Sequence, residues 1–129
     1  MIYSRQRELV METLCENRVH PTADELYGLI REHTPGISLA TVYRNLNQLV
    51  DSGRVMRITV PRGADRFDPV NDGHYHMACE LCGHIDDIPR SAVPDVCAAA
   101  TRATGLDIRK SKILFFGVCN ACEHSDKQQ

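Results

Sequence analysis

Two C-x2-C pairs, Cys79-Glu-Leu-Cys82 and Cys119-Asn-Ala-Cys122, constrain what this 129-residue chain can fold into more than any other feature. Four thiolates at such spacing suit one tetrahedral zinc, and a Zn(Cys)4 site has no open coordination position, so its role is structural. Thirty-six residues separate Cys82 from Cys119, more than a simple zinc ribbon holds. The metal would therefore staple the last strand of a small domain to a knuckle near its start. The alternative use of the same four residues is a pair of redox dithiols, which makes a thiol-disulfide switch a rival function. Disulfides of a secreted mini-protein are a poorer fit. The start, MIYSRQREL, lacks the apolar run of a secretory signal, and no stretch reaches the ~18 apolar residues of a membrane span. A cytoplasmic protein with no membrane contact is the expectation, and reduced cysteines follow from it. Cys15 and Cys97 fall within helical patterns and are expected to be buried as small hydrophobes.

The N-terminal half reads as three helices and a hairpin. Leu9, Val10 and Leu14 recur at helical intervals over Arg5 to about Glu16. Pro21 and a capping box, Thr22-Ala-Asp-Glu25, announce a second helix carrying Leu26, Leu29 and Ile30. The third follows Pro35-Gly36, with Ser38 as its cap, Val42, Leu46, Leu49 and Val50 as its apolar stripe, and Gly53 as its stop. RVMRITV then alternates, PRGAD turns, and RFDPV returns as a second strand. Helix, helix, helix, hairpin is the winged-helix order.

The outward face of the third helix is unusual for a merely solvated surface. Thr41, Tyr43, Arg44, Asn47 and Gln48 occupy it, nearly without Lys or Glu, and these are side chains that contact phosphates and base edges. Arg54, Arg57 and Arg62 flank it as phosphate ligands. Overall charge is only −2, so no global field points to nucleic acid, but residues 44 to 66 hold five arginines against Asp51 and Asp65, a local +3. Residues 67 to 129 hold six basic against nine acidic residues, a net −3. Winged helices also serve as protein-binding modules, so DNA binding is an expectation of the face and not of the fold.

The C-terminal half begins at a turn-rich stretch, Pro69-Val-Asn-Asp-Gly73, suited to a hinge. A strand around His74 to Ala78, the Cys79-to-Cys82 knuckle, a strand at His84 to Ile88, a helix from about Pro94 to Thr104 stopped by Gly105, and a strand KILFFGV follow. HYHMACELCGHIDDI, residues 74 to 88, holds a second chemistry beside the thiols. His74, His76, Asp86 and Asp87 offer the imidazoles and carboxylates that suit a borderline or harder, redox-capable ion. In a strand His74 and His76 share a face while Asp86 and Asp87 oppose each other, so one of the two carboxylates joins the histidines. A metalloenzyme would use similar ligands, but no nucleophile or general base accompanies them, and the arginine-flanked helix would be left unexplained.

HPTADELY (20–27), SLATVYRNLNQL (38–49), RFD (66–68), HYHMACELCG (74–83) and GVCNAC (117–122) resemble, in order and with compatible spacing, the ferric uptake regulator (Fur) superfamily. Within it the chain is similar to the peroxide-sensing (PerR) branch. Tyr75 and Asp87 depart from the H-H-D-H segment and the Glu typical of iron-uptake sensors. The resemblance implies an α+β protein: a winged-helix DNA-binding domain over residues 1–67, a hinge at 68–73, and a small α/β metal-binding dimerisation domain with a structural zinc over 74–129. It implies a cytoplasmic, homodimeric repressor and not an enzyme, binding an inverted-repeat operator in double-stranded DNA through Thr41, Tyr43, Arg44, Asn47 and Arg57. Carried over residue by residue, the regulatory Fe(II) or Mn(II) ligands are His20, Asp68, His74, His76 and Asp87, and the structural Zn(II) ligands are Cys79, Cys82, Cys119 and Cys122. Hydrogen peroxide would be sensed by Fe(II)-catalysed oxidation of His20 or His74. The alternative within the superfamily is an iron, manganese or zinc uptake regulator that uses the metal only as corepressor. Relatives usually carry a further helix ahead of the segment matching YSRQRELV, so contacts made by that helix are expected to be missing, with an effect on DNA affinity and not on fold.

Overall fold

The computed structural model describes residues 2–17 and 20–127. Residues 1, 128 and 129, the outer ends of the two expected domains, lie outside the described residues. The chain divides into two compact units, Met1–Asp72 and Gly73–Gln129. Among the described residues no helix is long and apolar enough to cross a membrane.

In the first unit the helices run Ile2–Glu16 (α1), Ala23–Arg31 (α2) and Leu39–Asp51 (α3). The caps read from sequence hold. The Thr22 side chain accepts from Glu25 N at 3.1 Å, and Ser38 accepts from Thr41 N at 3.1 Å, satisfying backbone donors that a helix start leaves orphaned. Glu25's own carboxylate turns toward Arg66, 3.9 Å away. Helix α3 ends where Gly53 takes a φ of 81°, and Gly53 N and Arg54 N close back onto Val50 O and Leu49 O. Val10, Leu14, Leu26, Ile30, Val42, Leu46 and Leu49 from the three helices bury together with Val55 and Phe67. The hairpin is shorter than its alternation suggests: strand β1 is Met56–Ile58 and β2 is Arg66–Asp68, paired antiparallel with Met56 opposite Asp68 and Ile58 opposite Arg66. Arg66 of β2 also forms an isolated antiparallel bridge with Thr22. Three helices and this wing make the unit a winged helix.

The second unit centres on a three-stranded sheet. Strand β3, Tyr75–Cys79, lies between β4, Ile85–Ile88, which is antiparallel to it, and β5, Leu114–Gly117, which is parallel. A parallel neighbour needs a long crossover. That connection carries a 3-10 turn at Arg90–Ala92 and helix α4, Val96–Thr104, whose first turn is capped by Asp95 accepting from Ala98 N at 3.1 Å. KILFFGV narrows to four residues because only these reach the β3 ladder. Helix α5, Asn120–Lys127, was not anticipated, since NACEHSDK carries no apolar period. Two expectations about cysteines are corrected. Cys15 is exposed, because Val10 and Leu14 take the buried face of α1 and the next residue lies about 100° further round. Cys97 is half-buried, on a helix with no fully buried residue.

Candidate metal centres and the exposed face of helix α3

The knuckle between β3 and β4 is turned by Gly83, whose φ of 80° lets its N–H return to Cys79 O at 3.0 Å while Cys79 N donates to His84 O at 2.9 Å. Cys79 and Cys82 thereby face the end of β5. Cys119 lies just after β5 and Cys122 in the first turn of α5, with Glu123 N donating to Cys119 O at 2.9 Å. One sulfur from each of the four cysteines lies within 4.8 Å of the others. Cys82 Sγ and Cys119 Sγ are 3.6 Å apart, close to the ~3.8 Å edge of a tetrahedron with Zn–S bonds of about 2.3 Å. None of the six cysteines is in a disulfide. The electrostatics agree with a cation at the centre. Hydrogen bonds from the Cys119 backbone N–H, at 3.4 Å, and from that of Cys82 hold the Cys79 thiol down at about 6. Hydrogen bonding to Cys82 and then Cys119, with burial, pushes Cys122 far up. Four clustered thiols cannot all ionise on their own charges, and a divalent ion removes that obstacle.

The imidazole and carboxylate residues form one group in each unit. In the first, His20 Nε2 lies 3.2 Å from Asp68 Oδ2, and both side chains are largely buried. His20 holds a left-handed φ of 55°, the one described non-glycine residue with positive φ. In the second, His74 Nε2 and His76 Nε2 are 3.0 Å apart, and Asp87 Oδ1 lies 3.3 Å from the first and 3.4 Å from the second. Cis ligands at about 2.1 Å from one ion stand about 3 Å apart, so both groups have the spacing of atoms that share a metal. Asp87 keeps 59% of its side chain exposed although both imidazoles beside it are buried. Asp86 points to the other face and meets His84 at 3.2 Å on the surface.

On α3, Tyr43, Arg44, Asn47 and Gln48 are exposed and Thr41 is half-buried. Two of these side chains are held by arginines from other elements. Arg57 on β1 donates to Asn47 Oδ1, and Arg7 on α1 donates to Gln48 Oε1. Arg57 also lies over the Phe67 ring, 5.8 Å from its centroid, and 3.6 Å from Asp65.

Comparison with known proteins agrees with this architecture. The sequence profile of the ferric uptake regulator family matches residues 1–116. The chain belongs to that family. It is 36% identical over 121 residues to the peroxide operon regulator of Bacillus subtilis, a match covering 94% of this chain and 83% of that one. It is also 36% identical over 118 residues to the peroxide-responsive repressor PerR of Staphylococcus epidermidis, covering 92% and 79%. Among solved structures, the Campylobacter jejuni peroxide stress regulator superposes with a TM-score of 0.78 at 31% identity, covering 93% of this chain and 90% of that one.

For a Fur-family chain, the sequence-predicted residues fall into four places: the four cysteines together, His20 with Asp68, His74 with His76 and Asp87, and the α3 face. Sequence reasoning missed the arginine clasps on Asn47 and Gln48, because nothing local links residues 7 and 48. It also missed Asn45, which is fully buried within the α3 stripe and donates to Thr41 O at 2.8 Å. Asn at an apolar heptad position was the available signal.

Proposed function

We propose that this Fur-family protein is a metal-dependent DNA-binding transcriptional repressor that responds to hydrogen peroxide. The observation that carries this reading is the pair of ligand-spaced groups, His20 with Asp68 in the unit that bears α3, and His74, His76 and Asp87 in the other. A single regulatory ion drawing on all five residues ties occupancy to the disposition of the DNA-reading unit. Three imidazole nitrogens and two carboxylates suit Fe(II) or Mn(II), while the S4 set of Cys79, Cys82, Cys119 and Cys122 suits structural Zn(II). When bound by these residues, Fe(II) would supply reductive chemistry toward peroxide beside its ligands, which Mn(II) held by the same residues would not. His20 and His74 would be the imidazoles oxidised, and their loss as ligands would end repression. The peroxide-regulator relatives support this branch, as do Tyr75 and Asp87. The experiment is a titration of operator DNA with metal-free, Mn(II) and Fe(II) protein, each with and without peroxide. Binding that ignores metal overturns the reading, and Fe(II) protein that stays on DNA in peroxide leaves a corepressor-only uptake regulator.

The second unit supports a homodimer. Strand β5 is a sheet edge, and it exposes Phe115 and Phe116, with Val118 just beyond it. An apolar edge of this kind is stable when a second copy covers it. A dimer then reads an inverted repeat with half-sites about one helical turn, or a multiple, apart.

Arg44 is exposed on α3, next in the chain to the exposed Tyr43. Arg44→Ala is expected to weaken specific operator binding by about 1 to 3 kcal/mol while non-specific affinity changes less, the signature of a guanine-edge contact. Equal weakening on all sequences, read by competition with random DNA, would reassign Arg44 to a phosphate.

A further inference from the structure

Three consecutive residues of β2 grip the short segment that carries His20. Arg66 Nη1 donates to His20 O at 3.0 Å, Phe67 N–H donates to Pro21 O at 3.0 Å, and the Asp68 carboxylate stands 3.2 Å from His20 Nε2. The grip matters because His20 is where the chain is least willing to stay. It has a left-handed φ of 55° and a Cβ, and it precedes a proline, which favours extended backbone at the residue before it. Phe67 acts one residue downstream, on the proline carbonyl, and is itself buried in the core. Asp68 acts on the ring. The Arg66 guanidinium acts on the backbone carbonyl of His20 itself.

We infer that Arg66 is a positioning residue for the regulatory metal site: its hydrogen bond to the His20 carbonyl holds the left-handed conformation that aims the imidazole at Asp68. This rests on the reading of His20 and Asp68 as ligands of that metal. Without the guanidinium, residue 20 relaxes toward the extended region that Pro21 favours, the peptide plane between them turns, and the ring leaves the Asp68 carboxylate. The Arg66 side chain is about a quarter exposed and its other charged neighbour is Glu25 at 3.9 Å, so its removal opens no core cavity and strands no buried charge. The effect travels through a backbone carbonyl, as outer contacts that orient a metal-ligating histidine do.

The test uses the full chain with its structural zinc in place and Mn(II) as the probe. Arg66→Ala is expected to weaken Mn(II) binding about 10- to 100-fold, the range for lost contacts that orient a metal ligand. Arg66→Lys, which keeps one donor, recovers part of the loss. In a His20→Ala background the same Arg66→Ala change is expected to add less than about 2-fold, because there is no imidazole left to aim. In the metal-free protein, the Cα and Cβ carbon shifts of residue 20 move from left-handed to extended values in Arg66→Ala, a change that a general loss of stability does not produce. Wild-type Mn(II) affinity in Arg66→Ala, with His20→Ala clearly weakened, overturns the positioning role and leaves the metal-site reading intact. Fully additive losses in the double variant overturn it too, since Arg66 then acts through something other than His20. Wild-type affinity in His20→Ala itself overturns both.

Discussion

Cys119→Ser is expected to release zinc and unfold residues 73–129. Cys119 stands at the junction of β5 and α5, and its backbone N–H and its sulfur both reach the knuckle, to Cys79 Sγ at 3.4 Å and Cys82 Sγ at 3.6 Å. A structural zinc contributes on the order of 10 kcal/mol to folding, comparable with the whole ~5 to 15 kcal/mol stability of an ordinary domain. The second unit has little else to draw on. The buried apolar side chains are concentrated in the helices and wing of the first unit, whereas β5 and α4 contribute no fully buried residue. Native mass spectrometry for zinc, far-ultraviolet circular dichroism and sedimentation should together show metal loss, partial unfolding and monomers. Acid should act in the same direction, since zinc must displace protons from thiols, and hydrogen bonding to Cys82 and Cys119, with burial, pushes the Cys122 thiol up. A zinc-free variant that keeps the wild-type melting temperature would remove the structural role from the site.

Fe(II)-loaded protein exposed to peroxide is expected to gain one oxygen atom on His20 or His74 and to leave its operator, while Mn(II)-loaded protein stays bound and unmodified. His20 is the more consequential target. It shares the first unit with α3, and its ring faces the Asp68 carboxylate at 3.2 Å, so its loss as a ligand falls on the unit that bears the outward-facing helix. Moving a repressor from mostly bound to mostly released requires loss of a preference of about 5 kcal/mol between two states, an amount that one multidentate ion can supply. Peptide mapping after a brief peroxide pulse, alongside DNA binding, measures both halves of the expectation. Release with every histidine intact and with Cys79, Cys82, Cys119 or Cys122 oxidised would hand the sensing role to the thiols.

The features legible in the sequence are those whose cause is local. Thr22 and Ser38 mark helix starts because their hydroxyls meet an N–H three residues on, and Gly53 marks an end because its φ suits no other residue so well. The shared face of His74 and His76, and the parting of Asp86 from Asp87, follow from the period of a strand. What escaped depends on partners distant in the chain. The parallel register that sets Cys79 opposite Gly117 has no local sign, and neither has the clasp of Arg7 on Gln48. The close approach of β5 to β3 is equally silent: a Cβ at Gly117 would stand 2.9 Å from Met77 Sδ, yet the glycine reads in isolation as a strand end.

The backbone of His20 sets stability against sensing at one residue. A left-handed φ costs a residue with a Cβ about 1 to 2 kcal/mol, and glycine would remove that penalty while giving back part of the gain through a freer unfolded chain. His20→Gly is therefore expected to melt no earlier than the parent in the absence of metal, and to have lost its response to peroxide. A laboratory selection that rewards heat resistance alone would accept that replacement early, and its survivors would be sturdy proteins that no longer register oxidants. On the reading of His20 as a sensing ligand, a histidine in so unfavourable a conformation gives up durability for signalling.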